Sequence, residues 1–180
     1  MVNLSLYTTI AVILLDGEGN RILAKYYGPR NPYPTSKEQK VFEKGLFEKT
    51  RRANGEIILY DNNVVLYRNN IDVFFYVVGS ADENELLLSS ILNAFYDAVS
   101  NLLRHQVEKR TIVDNLDLVV LALDETIDDG IALETDSNVI VSRVSRPRAD
   151  TTDIPITEQS FIQAYHTARE KVAERLLRGV

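Results

Sequence analysis

The sequence predicts an α+β fold on a five-stranded mixed sheet of order 2-1-5-4-3, with one helix on one face and two or more on the other. Three observations lead there. Leu6 to Leu15 and Ile71 to Val78 are apolar at both alternating sets of positions, so each strand is covered on both faces and belongs mid-sheet. Three shorter stretches between them are more polar and bounded by turn residues, which suits the flanks. The helix after the second apolar strand carries far more apolar surface than one sheet can hide.

The first strand, Leu6 to Leu15, puts Ile10, Val12 and Leu14 on one face and Ala11, Ile13 and Leu15 on the other. Asp16-Gly17-Glu18-Gly19-Asn20 is rich in residues that tolerate positive φ, so the chain reverses there. The second strand, Arg21 to Tyr27, alternates better, with Arg21 and Lys25 outward, as an edge strand would. Prolines 29, 32 and 34 mark a loop, and Thr35/Glu38 and Ser36/Gln39 form overlapping capping boxes behind it. The helix they open has a stripe of Val41, Phe42, Gly45 and Leu46, with Lys49, Arg51 and Arg52 in its last turn and Gly55 as a stop.

Gly55 to Tyr60, Val64 to Arg68 and Ile71 to Val78 form a meander around Asp61-Asn62-Asn63 and Asn69-Asn70. Ser80 and Glu83 make a capping box that starts the next helix near Ala81. Between Leu86 and Val107 its polar residues occupy about a third of the helical circle, so a second layer must cover it: another helix, a partner, or both. Ile112, Leu116, Val119, Leu123 and Ile127 recur at helical spacing up to Asp129-Gly130 and provide a natural second layer. A shorter helix, Ser137 to Val144, follows an Asp136 cap. The chain thus divides into a domain over 1–145, a proline-bearing linker over 146–158, and an amphipathic helix over 159–180 with Phe161, Tyr165, Ala168, Val172 and Leu176 on one stripe.

With 180 residues there is enough chain for a sizeable core, and without cysteine there are no disulfides and no thiolate metal ligands. No signal-type segment and no membrane-length apolar run occurs, which fits a cytoplasmic protein. The net charge of -6 opposes a nucleic-acid binder that works through phosphate contacts.

Chemistry-bearing patterns are sparse. His105 and His166 have no zinc-ligand spacing. Gly17-Glu18-Gly19 is only half a dinucleotide motif and reads better as a hairpin turn. The acidic group Asp124, Glu125, Asp128 and Asp129 has Ile127 where a calcium loop needs a ligand, so it reads as a solvated helix end. The expectation is a protein that is not an enzyme, with no catalytic, cofactor-binding or metal residues.

One resemblance is specific. Ile22-Leu23-Ala24-Lys25-Tyr26-Tyr27, Lys37-Glu38-Gln39-Lys40, Ile71 through Ser80, Glu83-Asn84-Glu85-Leu86, Val107-Glu108-Lys109-Arg110 and Thr157-Glu158-Gln159 closely resemble the zeta-subunit family of coatomer. Residues 1–145 more distantly resemble the sigma subunits of clathrin adaptors and other longin-type domains. The resemblance implies a structural subunit of the COPI coat that pairs with the gamma large subunit and assembles with the other coatomer subunits. Arf GTPase would act on it indirectly, and it would meet Golgi membranes only through the coat. Two alternatives are a module that binds sorting signals and a longin-type regulator of small GTPases.

Aromatics dominate interface hot spots, so Tyr26, Tyr27, Phe74, Tyr76 and Tyr96, together with Leu103, are the candidate partner contacts, with core packing as the competing role. Family likeness also places Ile71, Tyr96, His105, Gln106 and Thr111 where some sigma subunits hold acidic dileucine signals. These side chains are bulkier or more polar than such a pocket needs, so no dileucine binding is expected.

Overall fold

In the computed structural model, residues 6–28, 31–53 and 55–145 are described. The chain divides into two compact units, Met1–Arg146 and Pro147–Val180. The expected linker and final helix lie outside the described residues.

The first unit is a five-stranded sheet of order β2-β1-β5-β4-β3, formed by β1 Thr9–Asp16, β2 Arg21–Tyr26, β3 Ile57–Tyr60, β4 Asn63–Asn70 and β5 Val73–Ser80. Every neighbouring pair is antiparallel, whereas a mixed sheet was expected. The reason is the crossover. Helix α1, Ser36–Thr50, carries the chain from the β2 edge to the β3 edge, so like-directed strands never become neighbours. Hairpins make all the other connections except the central β1/β5 pairing, in which Asp16 stands opposite Val73.

Both central strands are buried on both faces, as their composition demands. On one side Ala11, Ile13, Leu15, Tyr67, Phe74 and Tyr76 pack under Phe42, Leu46 and Phe47 of α1. Val41, placed in the apolar stripe by the sequence, is instead exposed, because the buried arc runs through Phe42, Glu43, Leu46, Phe47 and Thr50. The Thr35/Glu38 capping box forms as expected.

On the other side Val12, Leu14, Val73, Phe75 and Val77 pack under α2, Glu85–Leu102. This helix starts four residues later than the Ser80/Glu83 pattern suggests. Ser80 is the last residue of β5, and Asn84 caps the helix by accepting from Leu86 N at 3.0 Å. It also stops before Val107, because Arg104 and His105 turn into the left-handed region.

The expected single helix up to Asp129-Gly130 is two helices, α3 Lys109–Asp114 and α4 Leu116–Thr126, broken at Asn115. Beyond them Asp129 and Gly130, both at positive φ, form the turn of a small β6–β7 hairpin, Ile127–Asp128 with Ile131–Ala132. Helix α5, Ser137–Val144, keeps its predicted bounds and its Asp136 cap.

Together α4 and α5 supply the second layer over α2. Val119, Ala122, Leu123 and Ile140 join the same core as Leu88, Ile91, Phe95 and Val99, each large side chain contributing about 1.5–3 kcal/mol on burial. The breadth of the α2 apolar face is therefore answered largely within the chain. Leu86, in its first turn, stays exposed.

Edge strand β2 departs from the outward placement of its cations. A register shift between Leu14 and Leu15 skips Ile22, which turns Arg21 and Lys25 to opposite faces. Arg21 Nε donates to Glu43 Oε2 of α1 at 2.9 Å, and Lys25 Nζ meets Asp124 Oδ1 of α4 at 2.6 Å. One edge strand is thus fastened to both helical layers.

Candidate functional site

Five of the six candidate partner contacts lie in the core. Tyr27, Phe74, Tyr76, Tyr96 and Leu103 are all more than nine-tenths buried. The Tyr76 hydroxyl meets Thr50 Oγ1 at 2.7 Å, and burial raises its pKa. Tyr96 stands edge-on to Phe75 and carries the Arg68 guanidinium 3.7 Å from its ring centroid, a cation–π contact at the surface, where Arg68 also meets Asp97 at 3.5 Å. Only Tyr26 is half-buried. Its hydroxyl donates to Glu43 Oε1 at 2.9 Å, and burial together with the Glu43 charge holds its pKa far above the ordinary phenol value.

In the second group of positions, the β4–β5 turn that carries Ile71 meets the segment between α2 and α3. Ile71 does not begin β5: it occupies the β4–β5 turn at φ 46° and is 80% exposed. A β-branched residue in that region is strained. Facing the turn, Asn70 Nδ2 donates to Val107 O at 3.2 Å, and Lys109 N donates to Asp72 Oδ1 at 3.0 Å. His105 and Gln106 are exposed in the loop after α2, with His105 Nδ1 3.1 Å from Ser100 Oγ, and Thr111 is half-buried on α3. The buried Tyr96 ring is closed off by Phe75 and Arg68, so it does not form the wall of an open apolar slot.

Asp16 was missed by sequence reasoning. Its Oδ1 accepts from Glu18 N at 2.9 Å and Asn20 N at 2.8 Å; its Oδ2 accepts from Asn20 Nδ2 at 3.2 Å and Lys109 Nζ at 2.8 Å. Burial alone would raise its pKa, but the Lys109 ammonium and the donors from Asn20 and Glu18 outweigh burial and bring it down to about 2. The local half of this arrangement is visible in Asp-Gly-Glu-Gly-Asn, where an aspartate organises its own turn. No sequence signal announces Lys109.

The acidic group at the end of α4 is engaged by cations: besides Asp124 with Lys25, Glu125 faces Arg143 at 3.2 Å. Among the described residues no group of three potential ligands is placed to hold a metal, and no helix is long and apolar enough to cross a membrane.

This architecture, a five-stranded antiparallel sheet with α1 on one face and α2, α3, α4 and α5 on the other, is the longin-like fold of adaptor small subunits. The chain belongs to the clathrin adaptor complex small-chain family, whose model matches residues 8–151. Within that class it is most informatively compared with coatomer zeta subunits. It is 45% identical over 174 residues to coatomer subunit zeta-1 of Homo sapiens, covering 97% of this chain and 96% of that protein. It is 41% identical over 189 residues to coatomer subunit zeta of Saccharomyces cerevisiae, covering all of both. In fold it also matches a chain from a homology model of the full-length AP-3 complex in a stretched open conformation. That match has TM-score 0.59 and 17% identity over 91% of this chain and 98% of the other.

Proposed function

We propose that this chain is the zeta subunit of a coatomer, a non-catalytic structural part of the COPI coat that pairs with the gamma large subunit. In this reading it is cytoplasmic and reaches Golgi membranes only as part of the assembled coat, where it serves Golgi-to-ER and intra-Golgi transport. The observation that carries the reading is similarity to zeta subunits along nearly the whole chain, not along one motif. The gamma partner, the other coatomer subunits and an indirect dependence on Arf follow from that assignment.

Most of the six partner-contact positions would act from beneath the surface, since only Tyr26 presents an accessible ring. Co-purification with the gamma subunit tests the pairing directly, and hydrogen exchange on the full chain alone and with gamma locates the interface. The expected outcome is a stable pair with new protection on a continuous helix surface. Failure to form the pair would defeat the reading.

No binding of acidic dileucine peptides is expected at Ile71, Tyr96, His105, Gln106 and Thr111, because the Tyr96 ring is already covered by Phe75 and Arg68 and the exposed His105 and Gln106 are polar, which leaves no apolar slot for two leucines. Fluorescence titration of such a peptide against the zeta/gamma pair checks this. Competable binding that disappears in Tyr96→Ala would contradict it.

A further inference from the structure

The outer face of α1 is basic in a chain whose net charge is -6. Residues 36–52 hold six lysines and arginines against three glutamates, and each glutamate is already engaged. Glu38 folds back on Thr35 in the capping box, Glu43 is buried against Arg21, and Glu48 meets Arg51 at 2.9 Å. Lys37, Lys40 and Lys44 are left exposed at i, i+3 and i+7, so they share one stripe. Together with Ser36 and Val41 they line a shallow hollow of roughly 510 Å³, and Val41 is 68% exposed.

Elsewhere Arg21, Lys25, Arg68, Lys109, Arg110 and Arg143 each meet a carboxylate. None of the three lysines does so among the described residues. Two elementary effects also oppose their placement. Cations suit the carboxyl end of a helix, where the dipole is negative, whereas Lys37 is the second residue of α1 and Lys40 the fifth. Lys40 moreover stands three and four positions from its like-charged neighbours, a spacing at which they repel. Dipole and neighbours thus add up to a positive potential over the first turns of α1, with no anion of the chain to answer it.

The shape of the face narrows its occupant. A single exposed valine is too little apolar surface to seat a helix in a bilayer interface. The stripe from Lys37 to Lys44 is about 10 Å long, a length that about three or four residues of extended chain cover. We propose that this face receives an acidic segment of a partner protein, its carboxylates pairing with Lys37, Lys40 and Lys44 and an apolar side chain between them resting on Val41. The proposal does not depend on the coat assignment.

The test titrates the full 180-residue chain with acetyl-Glu-Glu-Leu-Glu-Glu-amide and follows backbone amide shifts by NMR. A second titration uses acetyl-Gln-Gln-Leu-Gln-Gln-amide, which keeps the size and removes the charge. The expected result is saturable shifts centred on residues 36–44, about tenfold weaker binding of the glutamine peptide, and affinity that falls as salt is raised. The triple variant Lys37→Gln, Lys40→Gln, Lys44→Gln should lose about tenfold in affinity, whereas Arg110→Gln, which removes an exposed cation on α3, should leave it unchanged. The triple variant should fold with Tm unchanged or higher, because it removes cations that the dipole and one another oppose. Equal affinity for the glutamine peptide, the same loss in Arg110→Gln as in the triple variant, shifts centred elsewhere, or no saturable shift would each overturn the proposal. Co-sedimentation with vesicles of phosphatidylcholine and phosphatidylserine in equal parts, abolished in the triple variant and found in place of peptide shifts, would overturn it in favour of a membrane surface.

Discussion

The Asp16 carboxylate gathers donors from its own turn and from Lys109, far along the chain, so it joins the β1–β2 hairpin to the start of α3. Its folded pKa of about 2 lies below the ordinary aspartate value of 3.8. Between those values the unfolded chain holds the proton more tightly, so stability rises with pH through that window. The contribution is complete above about pH 4 and fades as pH falls toward 2; by linkage it amounts to about 2 kcal/mol. Urea unfolding of the native chain and Asp16→Asn should therefore differ by about that amount at pH 6. The gap should narrow steadily as the pH is lowered to 3, and a pH-independent gap would contradict the linkage.

At the level of elements, the start of α2 separates two candidate caps. Asn84 accepts from Leu86 N, whereas Ser80 closes β5. Asn84→Ala should cost about 1 kcal/mol, and Ser80→Ala should stay within about 0.5 kcal/mol, read from thermal unfolding. The same stretch explains what the sequence could and could not reveal. Strand order and the α1 cap follow from apolar alternation and a local Thr-x-x-Glu pattern, both of which are short-range. Ser80-x-x-Glu83 carries an equally good local pattern, but pairing of Ser80 with Asn63 extends the strand and wins. Asp129-Gly130 carries a hairpin signature that the sequence alone does not separate from a helix stop, because the apolar period upstream runs straight into it. Of the interaction surfaces, the sequence identifies the aromatic residues but not their burial, which depends on helices packed from distant parts of the chain.

For the molecule as a whole, the decisive fact is that α4 and α5 close over α2. A partner then meets a finished surface, so binding should add exchange protection to an already cooperative fold rather than create one. The expected hydrogen-exchange record shows the amides of β1, β5 and α2 slow in the chain alone, with new protection on outer helix faces in the pair. Fast exchange in α2 of the isolated chain would mean that its cover is incomplete.

The pairing of Thr9 with Gly79 and of Asp16 with Val73 has a consequence for biosynthesis. As the polypeptide leaves the ribosome, β1 can find β2 at once but must wait for β5 before its other edge and its two greasy faces are shielded. Such distant pairing slows closure and lengthens the interval in which a sticky ribbon is open to wrong neighbours. Nascent chains stalled before residue 73 should therefore be the ones that chaperones retain.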